Sequence, residues 1–376
     1  MKIGLVFDDS LDRLDGVQQY IVTLGNYFKT QGHRVYFLTG QTNNHDDKNV
    51  YSLSKNINIK FNKNTLSTPL FSKKYREIKT ILDDLNLDII HVQLPYSPIM
   101  SGKVIRYALR NNIPVVGTFQ IMPYTRLQAL GTALLGTISA RQLRRFKFFY
   151  SLSKPAQTFS KKYYKISSSV LGVPIDLSKY DQNFGRVIEN KILYLGRLVK
   201  RKAPINLLKA LLYLKNNNQL PEGLVVNMAG SGYQKTELED FVYKNNLASI
   251  VNFLGYISEE DKVNLLRTSS LSVFTSVAGE SFGVVLIEAL ASNSTIVLAA
   301  NNPGYESVMH DLPEQLYEAN DYIELAKKIL LFLNNQKTRK ETVYKGYLVA
   351  KSFDINLIGR RILSDYSKVL SKRTNS

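Results

Sequence analysis

One pattern limits what this chain can fold into more than any other. A short apolar run, a polar or glycine-bearing exit and a segment of helical period recur in that order along its length. Lys2–Phe7 is the first apolar run, and Asp8-Asp9-Ser10 ends it. Val17, Tyr20, Ile21, Leu24, Tyr27 and Phe28 then repeat at helical spacing within Val17–Gln31, Gly32-His33-Arg34 breaks the segment, and Val35–Thr39 is apolar again. Uninterrupted apolar runs of strand length, joined through helices, predict parallel strands buried on both faces beneath crossover helices. The same grammar predicts strands at Asp88–Val92, Val115–Thr118, Ile192–Gly196, Leu224–Ala229, Leu271–Thr275 and Thr295–Ala299, with a helix at Lys103–Asn111. No solenoid-like repeat and no low-complexity tract interrupts it.

At 376 residues the chain is too long for one ordinary core and suits two such units. The break expected between them is Val173-Pro174-Ile175-Asp176, followed by the polar stretch Gln182–Asn190. Residues 1–175 and 176–353 then read as two Rossmann-like α/β domains, with a cleft expected where the strands' carboxyl ends face each other. The first residues run straight into acidic Asp8 and Asp9, so no secretory leader is expected, and no apolar stretch of about 18 residues is long enough to span a bilayer. With no cysteine, the chain has no disulfide, thiolate metal site or cysteine nucleophile. It carries no Asp-x-Asp triplet and no His/Asp/Glu cluster at ligand spacing, so no metal-bridged diphosphate is expected. His33, His45, His91 and His310 lack a triad-like setting, and no Walker-type loop is present.

Three strand exits carry the chemistry. Gly279-Glu280-Ser281-Phe282-Gly283-Val284-Val285-Leu286-Ile287-Glu288-Ala289 follows the strand at Leu271–Thr275 and opens a helix. Small residues there let phosphate oxygens reach free backbone N–H groups at the positive end of the helix dipole. One glutamate would then meet a sugar hydroxyl and the other a ribose diol. Gly196-Arg197-Leu198-Val199-Lys200-Arg201-Lys202 follows Ile192–Leu195 and offers an arginine fork and a lysine point charge to a diphosphate. Asp15-Gly16-Val17-Gln18 lies in the first loop, where a glycine admits a ligand close to the backbone and serves a plain turn equally well. Met228-Ala229-Gly230-Ser231-Gly232 is a further glycine-rich exit that suits a turn.

Together these segments resemble glycosyltransferase family four, retaining enzymes of the GT-B fold, in order over nearly the whole chain. Within it, Gly-Val-Gln and Gly-Glu-Ser-Phe-Gly-Val-Val-Leu-Ile-Glu-Ala look most like bacterial phosphatidylinositol mannosyltransferases. The resemblance implies that the Gly16 backbone, Arg197, Lys202 and the amides of Phe282, Gly283 and Val284 hold the diphosphate. Glu280 would hold donor-sugar hydroxyls, Glu288 the ribose, and Ile257 and Lys262 would surround the base. Gln18 falls at the acceptor, and Phe353–Leu370 resembles a last helix that crosses back onto the first domain, so residues 354–376 are assigned there. The donor implied is GDP-mannose or a UDP-hexose, with no metal or other cofactor. The leaving diphosphate would serve as base. Two positions depart from the family: Asp15 replaces a glycine, and Gln120 stands beside the donor sugar where many members have histidine, keeping the capacity to donate and accept.

Charge is uneven. Of the net +18, residues 1–175 contribute 24 Lys/Arg against 10 Asp/Glu, and twelve of those cations lie between Asp88 and Asp176 with no acid among them. Such a field suits an anionic membrane or a nucleic acid. Thr125–Tyr150 has near-helical apolar spacing and ends in Arg141, Arg144, Arg145 and Lys147 among Phe148, Phe149 and Tyr150, which suits a bilayer interface. A core helix with solvated arginines fits the same residues. The partners expected are a nucleotide sugar and anionic lipid rather than nucleic acid, and the place expected is the inner face of the cell membrane. Transfer to a soluble or polymeric saccharide, and a GT-B sugar- or lipid-binding protein without turnover, are the competing readings.

Overall fold

The structure, a computed structural model, describes residues 1–12, 16–43, 47–61, 64–94, 99–120, 131, 139–180 and 186–374. The chain forms two compact units, Met1–Pro174 with Ile355–Ser376, and Ile175–Asp354.

Unit 1 is built on a seven-stranded sheet in the order β3-β2-β1-β6-β7-β8-β9. Its strands are β1 (Lys2–Phe7), β2 (Arg34–Thr39), β3 (Val50–Ser52), β6 (Ile89–Gln93), β7 (Val115–Phe119), β8 (Phe148–Ser151) and β9 (Ser169–Val170). Every pairing in it is parallel, with Val6 level with both Leu38 and Val92. Helix α1 (Gly16–Thr30) turns Tyr20, Ile21, Leu24 and Phe28 inward, as the spacing predicts. Helices α2 (Tyr75–Leu85), α3 (Met100–Arg110) and α4 (Lys154–Tyr164) follow the intervening strands. The antiparallel hairpin β4–β5 (Ser54–Phe61, Asn64–Ser72) stands apart from the main sheet and was not foreseen from the sequence.

The last helix, which we number α12 (Ile355–Thr374), belongs to this unit. It is fastened by a buried polar chain. His91 on β6 contacts Tyr366 OH through Nδ1 at 2.6 Å and Thr118 Oγ1 through Nε2 at 2.6 Å. Thr118 in turn lies 3.5 Å from Tyr20 OH, and Tyr150 OH donates to Asp365 at 2.8 Å. Burial pushes the His91 imidazole down to about 3, so it is neutral and its two nitrogens divide into one donor and one acceptor.

Unit 2 has a parallel six-stranded sheet in the order β12-β11-β10-β13-β14-β15. Its strands are β10 (Ile188–Leu195), β11 (Val225–Ala229), β12 (Val251–Gly255), β13 (Ser269–Phe274), β14 (Ile296–Asn301) and β15 (Leu316–Glu318). In chain order that is the 3-2-1-4-5-6 winding, whose direction reverses between β10 and β13. Ligands of open α/β sheets bind at that reversal, beyond the strands' carboxyl ends. The helices are α5 (Ile205–Asn216), α6 (Lys235–Lys244), α7 (Glu259–Thr268), α8 (Val284–Ala291), α9 (Pro303–Met309), α10 (Tyr322–Asn334) and α11 (Gln336–Lys351). The core joins Leu207, Leu211 and Leu214 of α5 to Ile192, Met228, Val273 and Leu298 of the sheet and to Leu325 and Ile329 of α10.

Two expectations need correction. Residues 188–190, read as linker, are the first residues of β10. Phe148, Phe149 and Tyr150 are not the end of an interfacial helix: they form β8, in register with Val116, Gly117 and Thr118. Phe149 and Tyr150 are buried, and Phe146 stacks on Phe149 with centroids 4.8 Å apart. Neighbouring strands take up these rings, whereas Arg141, Arg144, Arg145 and Lys147 stay exposed, with Arg145 donating to the Leu109 carbonyl at 3.0 Å. Leu127, Leu130, Leu134 and Ile138 lie outside the described residues.

Candidate active site

The two loops at the reversal of unit 2's sheet are knitted together through Glu280. Its Oε1 accepts from Arg201 Nη1 at 2.8 Å, Lys202 Nζ at 2.8 Å and Ser276 Oγ at 2.7 Å. All of these contacts fall on one oxygen, Oε1. Burial would raise the carboxyl's pKa, but Lys202 and Arg201 outweigh it and hold the group below the ordinary carboxylate range. Lys202 moves the other way: burial, with Arg201 and Arg197 nearby, lowers its ammonium in spite of Glu280.

Backbone bonds fix both loops. Thr275 Oγ1 donates to the Lys202 carbonyl at 2.7 Å, and Val277 N to the Arg201 carbonyl at 3.1 Å. Asn302 caps α9 by accepting from the amides of Gly304 and Tyr305, while its Nδ2 donates to the Ser276 carbonyl at 2.8 Å. Gly304 is compulsory here, because a Cβ at that position would lie 2.3 Å from the Glu280 carbonyl oxygen. Helix α8 starts at Gly283, whose φ of 110° lies where L side chains rarely go, and no side chain caps it. Leu286 N donates to the Gly283 carbonyl at 3.0 Å, and the two amides before it lie at the positive end of the helix dipole, which favours an anion.

A second carboxylate sits within α8. Glu288 is 2% exposed, and its Oε1 is 2.6 Å from Lys262 Nζ. Lys262 is shared with Glu259 at 2.8 Å, and those two acids overcome the effect of burial and raise the ammonium's pKa.

The sequence-assigned residues thus fall into groups. Lys202 meets Glu280, and Lys262 meets Glu288. Arg197 is exposed on the same exit, its carbonyl accepting from Tyr194 OH at 3.1 Å. Ile257 is half-buried just past β12. Phe282 buries its ring edge-on to Phe353, with centroids 5.2 Å apart. In unit 1, Gly16 opens α1 and Gln18 is buried. Gln120, also buried, donates from Nε2 to Gln93 Oε1, and among the described residues Gln120 Oε1 and Gln93 Nε2 have no partner. Asp15 lies outside the described residues. Arg201, Ser276, Asn302 and Gly304 were missed as site residues. Arg201 was hidden in a run of three cations, while the Asn302-Pro303-Gly304 helix start was a legible cap signal. Among the described residues no group of three or more His, Cys, Asp or Glu is placed to hold a metal ion.

Two doubly wound units on one chain, with a cation-braced carboxylate and a helix end without a side-chain cap at the sheet reversal of the second, define a glycosyltransferase of the GT-B fold. Solved structures share that fold: a glycosyltransferase from Rickettsia africae is 19% identical with a TM-score of 0.75, covering 98% of both chains. An Anabaena protein in complex with UDP and glucose is 16% identical with a TM-score of 0.74, covering 98% of this chain and 100% of that one. Residues 14–179 match the family Glycosyltransferase Family 4, and residues 180–349 match Glycosyl transferases group 1. Together the two matches span residues 14–349, and the chain is a glycosyltransferase carrying one domain of each kind. A phosphatidyl-myo-inositol mannosyltransferase of Mycobacterium leprae is 24% identical over 98% of this chain and 97% of its own length.

Proposed function

We propose that this enzyme moves a hexose, mannose in the first instance, from a nucleotide diphosphate sugar to a membrane lipid, making a glycolipid with retention at the anomeric carbon. The observation that carries the reading is the Glu280 carboxylate, braced on Oε1 by two cations and a hydroxyl; Oε2 would take a sugar hydroxyl. The likeness to phosphatidyl-myo-inositol mannosyltransferases over nearly the full chain supports the lipid acceptor.

In this reading Arg197, Lys202 and the amides of Phe282, Gly283 and Val284 neutralise the diphosphate as its bond to C1 breaks. Charge stabilised by prearranged donors in this way is worth about 3–4 kcal/mol per contact in the transition state. Glu288 holds the ribose, and Ile257 and Lys262 flank the base. For Gly16, Gln18 and Gln120 the proposed roles are those the family resemblance implies: diphosphate, acceptor and donor sugar in that order. The acceptor hydroxyl bonds to C1 on the face the diphosphate leaves, and its proton passes to that diphosphate. Lysine and arginine supply the positive charge, so no metal is needed. The exposed Arg141, Arg144, Arg145 and Lys147 support a peripheral place at the inner face of the cell membrane; among the described residues no helix is long and apolar enough to cross one.

The test is transfer from GDP-mannose and from UDP-hexoses to phosphatidylinositol in liposomes, with the product's anomeric configuration read by NMR and EDTA present or absent. A retained α-linked glycolipid, formed equally in EDTA, is expected. Transfer only to soluble saccharides would overturn the lipid acceptor, and an inverted linkage would overturn retention. Rescue of chelated enzyme by magnesium or manganese would overturn the metal-free site.

A further inference from the structure

Unit 1 has a sheet reversal of its own. From β1 the order runs through β2 to β3 on one side and from β6 through β7 to β9 on the other, so the winding turns back between β1 and β6. Ligands of open α/β sheets bind beyond the strands' carboxyl ends at such a point. Two glutamines stand there. Gln93 is the last residue of β6, level with Thr118, and Gln120 is the first residue past β7. Gln93 is fully buried and Gln120 is 4% exposed. Gln120 Nε2 donates to Gln93 Oε1, and among the described residues Gln120 Oε1 and Gln93 Nε2 have no partner. Leu94, next in the chain, has a φ of 54°, in the left-handed region where a bulky side chain is rarely found. Its amide donates to the Thr118 carbonyl at 3.1 Å, which fastens the strained residue to β7.

Each of these features costs stability. A buried amide atom without a partner keeps its desolvation penalty, and a leucine held at positive φ is strained. Strain and orphaned polar groups concentrate where a ligand is held. The chemistry left over defines that ligand. A pair of amides that spends one N–H and one carbonyl on itself leaves one donor and one acceptor, and turning both amides over exchanges their owners but leaves the same two. A hydroxyl both donates and accepts, so one hydroxyl, or two neighbours on a ring, satisfies both orphans. A carboxylate or phosphate oxygen only accepts and would repel the leftover carbonyl. We propose that Gln93 and Gln120 form one amide clamp on the hydroxyls of the transferred hexose, with Gln93 a residue that sets sugar specificity. The inference rests on the reading of Gln120 as a contact of the donor sugar. It adds Gln93 as an equal partner and gives the contact a polarity: one amide donates to a hydroxyl oxygen, and the carbonyl of the other accepts a hydroxyl hydrogen.

Gln93→Met, Gln120→Met and the double variant keep the length of the side chains and remove their amides. Binding of GDP-mannose and UDP-glucose would be measured by calorimetry, with GDP and UDP as sugar-free controls. Each single change should weaken binding of the nucleotide sugar that the parent prefers about tenfold, while GDP and UDP bind within about twofold of the parent. The double variant should lose little more than either single one, because the two amides act as a unit. It should also melt no lower than the parent, since no amide is left without a partner. Parental binding by Gln93→Met beside a weakened Gln120→Met overturns the clamp and leaves Gln120 alone at the sugar. Parental binding by both removes Gln120 from the sugar as well, and the reading beneath the inference has failed. Equal losses for the nucleotide sugar and the bare nucleotide make the pair a buttress of the sheet and overturn the clamp, and so do losses that multiply in the double variant. If stranding one amide unfolds a single variant, the double variant decides, and parental sugar binding by it overturns the proposal.

Discussion

Replacing Glu280 with glutamine keeps the shape of the side chain and deletes the charge that two cations share. Two consequences separate. Arg201 and Lys202, 27% and 14% exposed, lose their counter-ion at 2.8 Å. Breaking a buried pair by removing one partner costs about 3–5 kcal/mol, and partial solvent access reduces that to about 2–3 kcal/mol here. A domain of this size then melts about 5–10 °C lower. Transfer loses one charged contact to the donor, about 3–4 kcal/mol and so a factor of about 10² to 10³ in turnover. Radiolabelled hexose transfer, run well below the lowered midpoint, isolates the second effect from the first. The pH dependence has a definite sign. The folded carboxyl titrates below its unfolded value, so its contribution is full at neutral pH and is lost as pH falls through the depressed folded value. The stability gap between parent and variant should therefore close in strong acid. A folded Glu280→Gln enzyme turning over within about threefold of the parent would refute the assignment of this carboxylate to the donor.

Gly304→Ala should act at a distance on the same group: with its Cβ 2.3 Å from the Glu280 carbonyl, the loop must shift. Transfer should then fall at least about tenfold, and a crystal structure with Glu280 unmoved would dismiss the argument. His91 is neutral when folded, with its pKa depressed to about 3, so its stabilisation is complete above the unfolded pKa and drains away as pH falls. Unit 1 should lose about 2–3 kcal/mol between pH 6.5 and 4.5 relative to a His91→Gln protein, as read by hydrogen exchange of β6 amides. Replacing Arg141, Arg144, Arg145 and Lys147 with serine should abolish sedimentation with anionic vesicles while leaving GDP and UDP binding unchanged, since each cation near such a surface is worth about 1 kcal/mol. Persistent sedimentation of that variant would mark the four as solvated surface charge.

Much of this architecture was legible because both sheets are parallel and buried, so each strand announces itself as an apolar run. The Gly279–Ala289 segment was legible for a related reason: special backbone, small residues and two carboxylates at a strand exit serve few purposes together. What the sequence concealed were partnerships. Arg201 and Glu280 are far apart in the chain and meet only because β10 and β13 are neighbours in the sheet. Phe148, Phe149 and Tyr150 beside four cations read as a membrane edge, yet pairing with β7 makes them a strand whose Phe149 and Tyr150 enter the core. The β4–β5 hairpin did show a period-two alternation at Ile57, Ile59 and Phe61, but Asn, Ser, Thr and Lys around it blurred the signal.

The membership of α12 in unit 1 sets an order of events during synthesis. Unit 2, Ile175–Asp354, interrupts the other unit's chain, and at about 5–20 residues per second the ribosome takes roughly ten to forty seconds to make it. Throughout that interval His91, Phe28 and Tyr150 await Tyr366 and Asp365. The later-made unit can therefore be finished first, and the nascent chain exposes an unclosed apolar seam along α1 until its final segment emerges. A stalled or shortened transcript would leave that seam to chaperones or to aggregation.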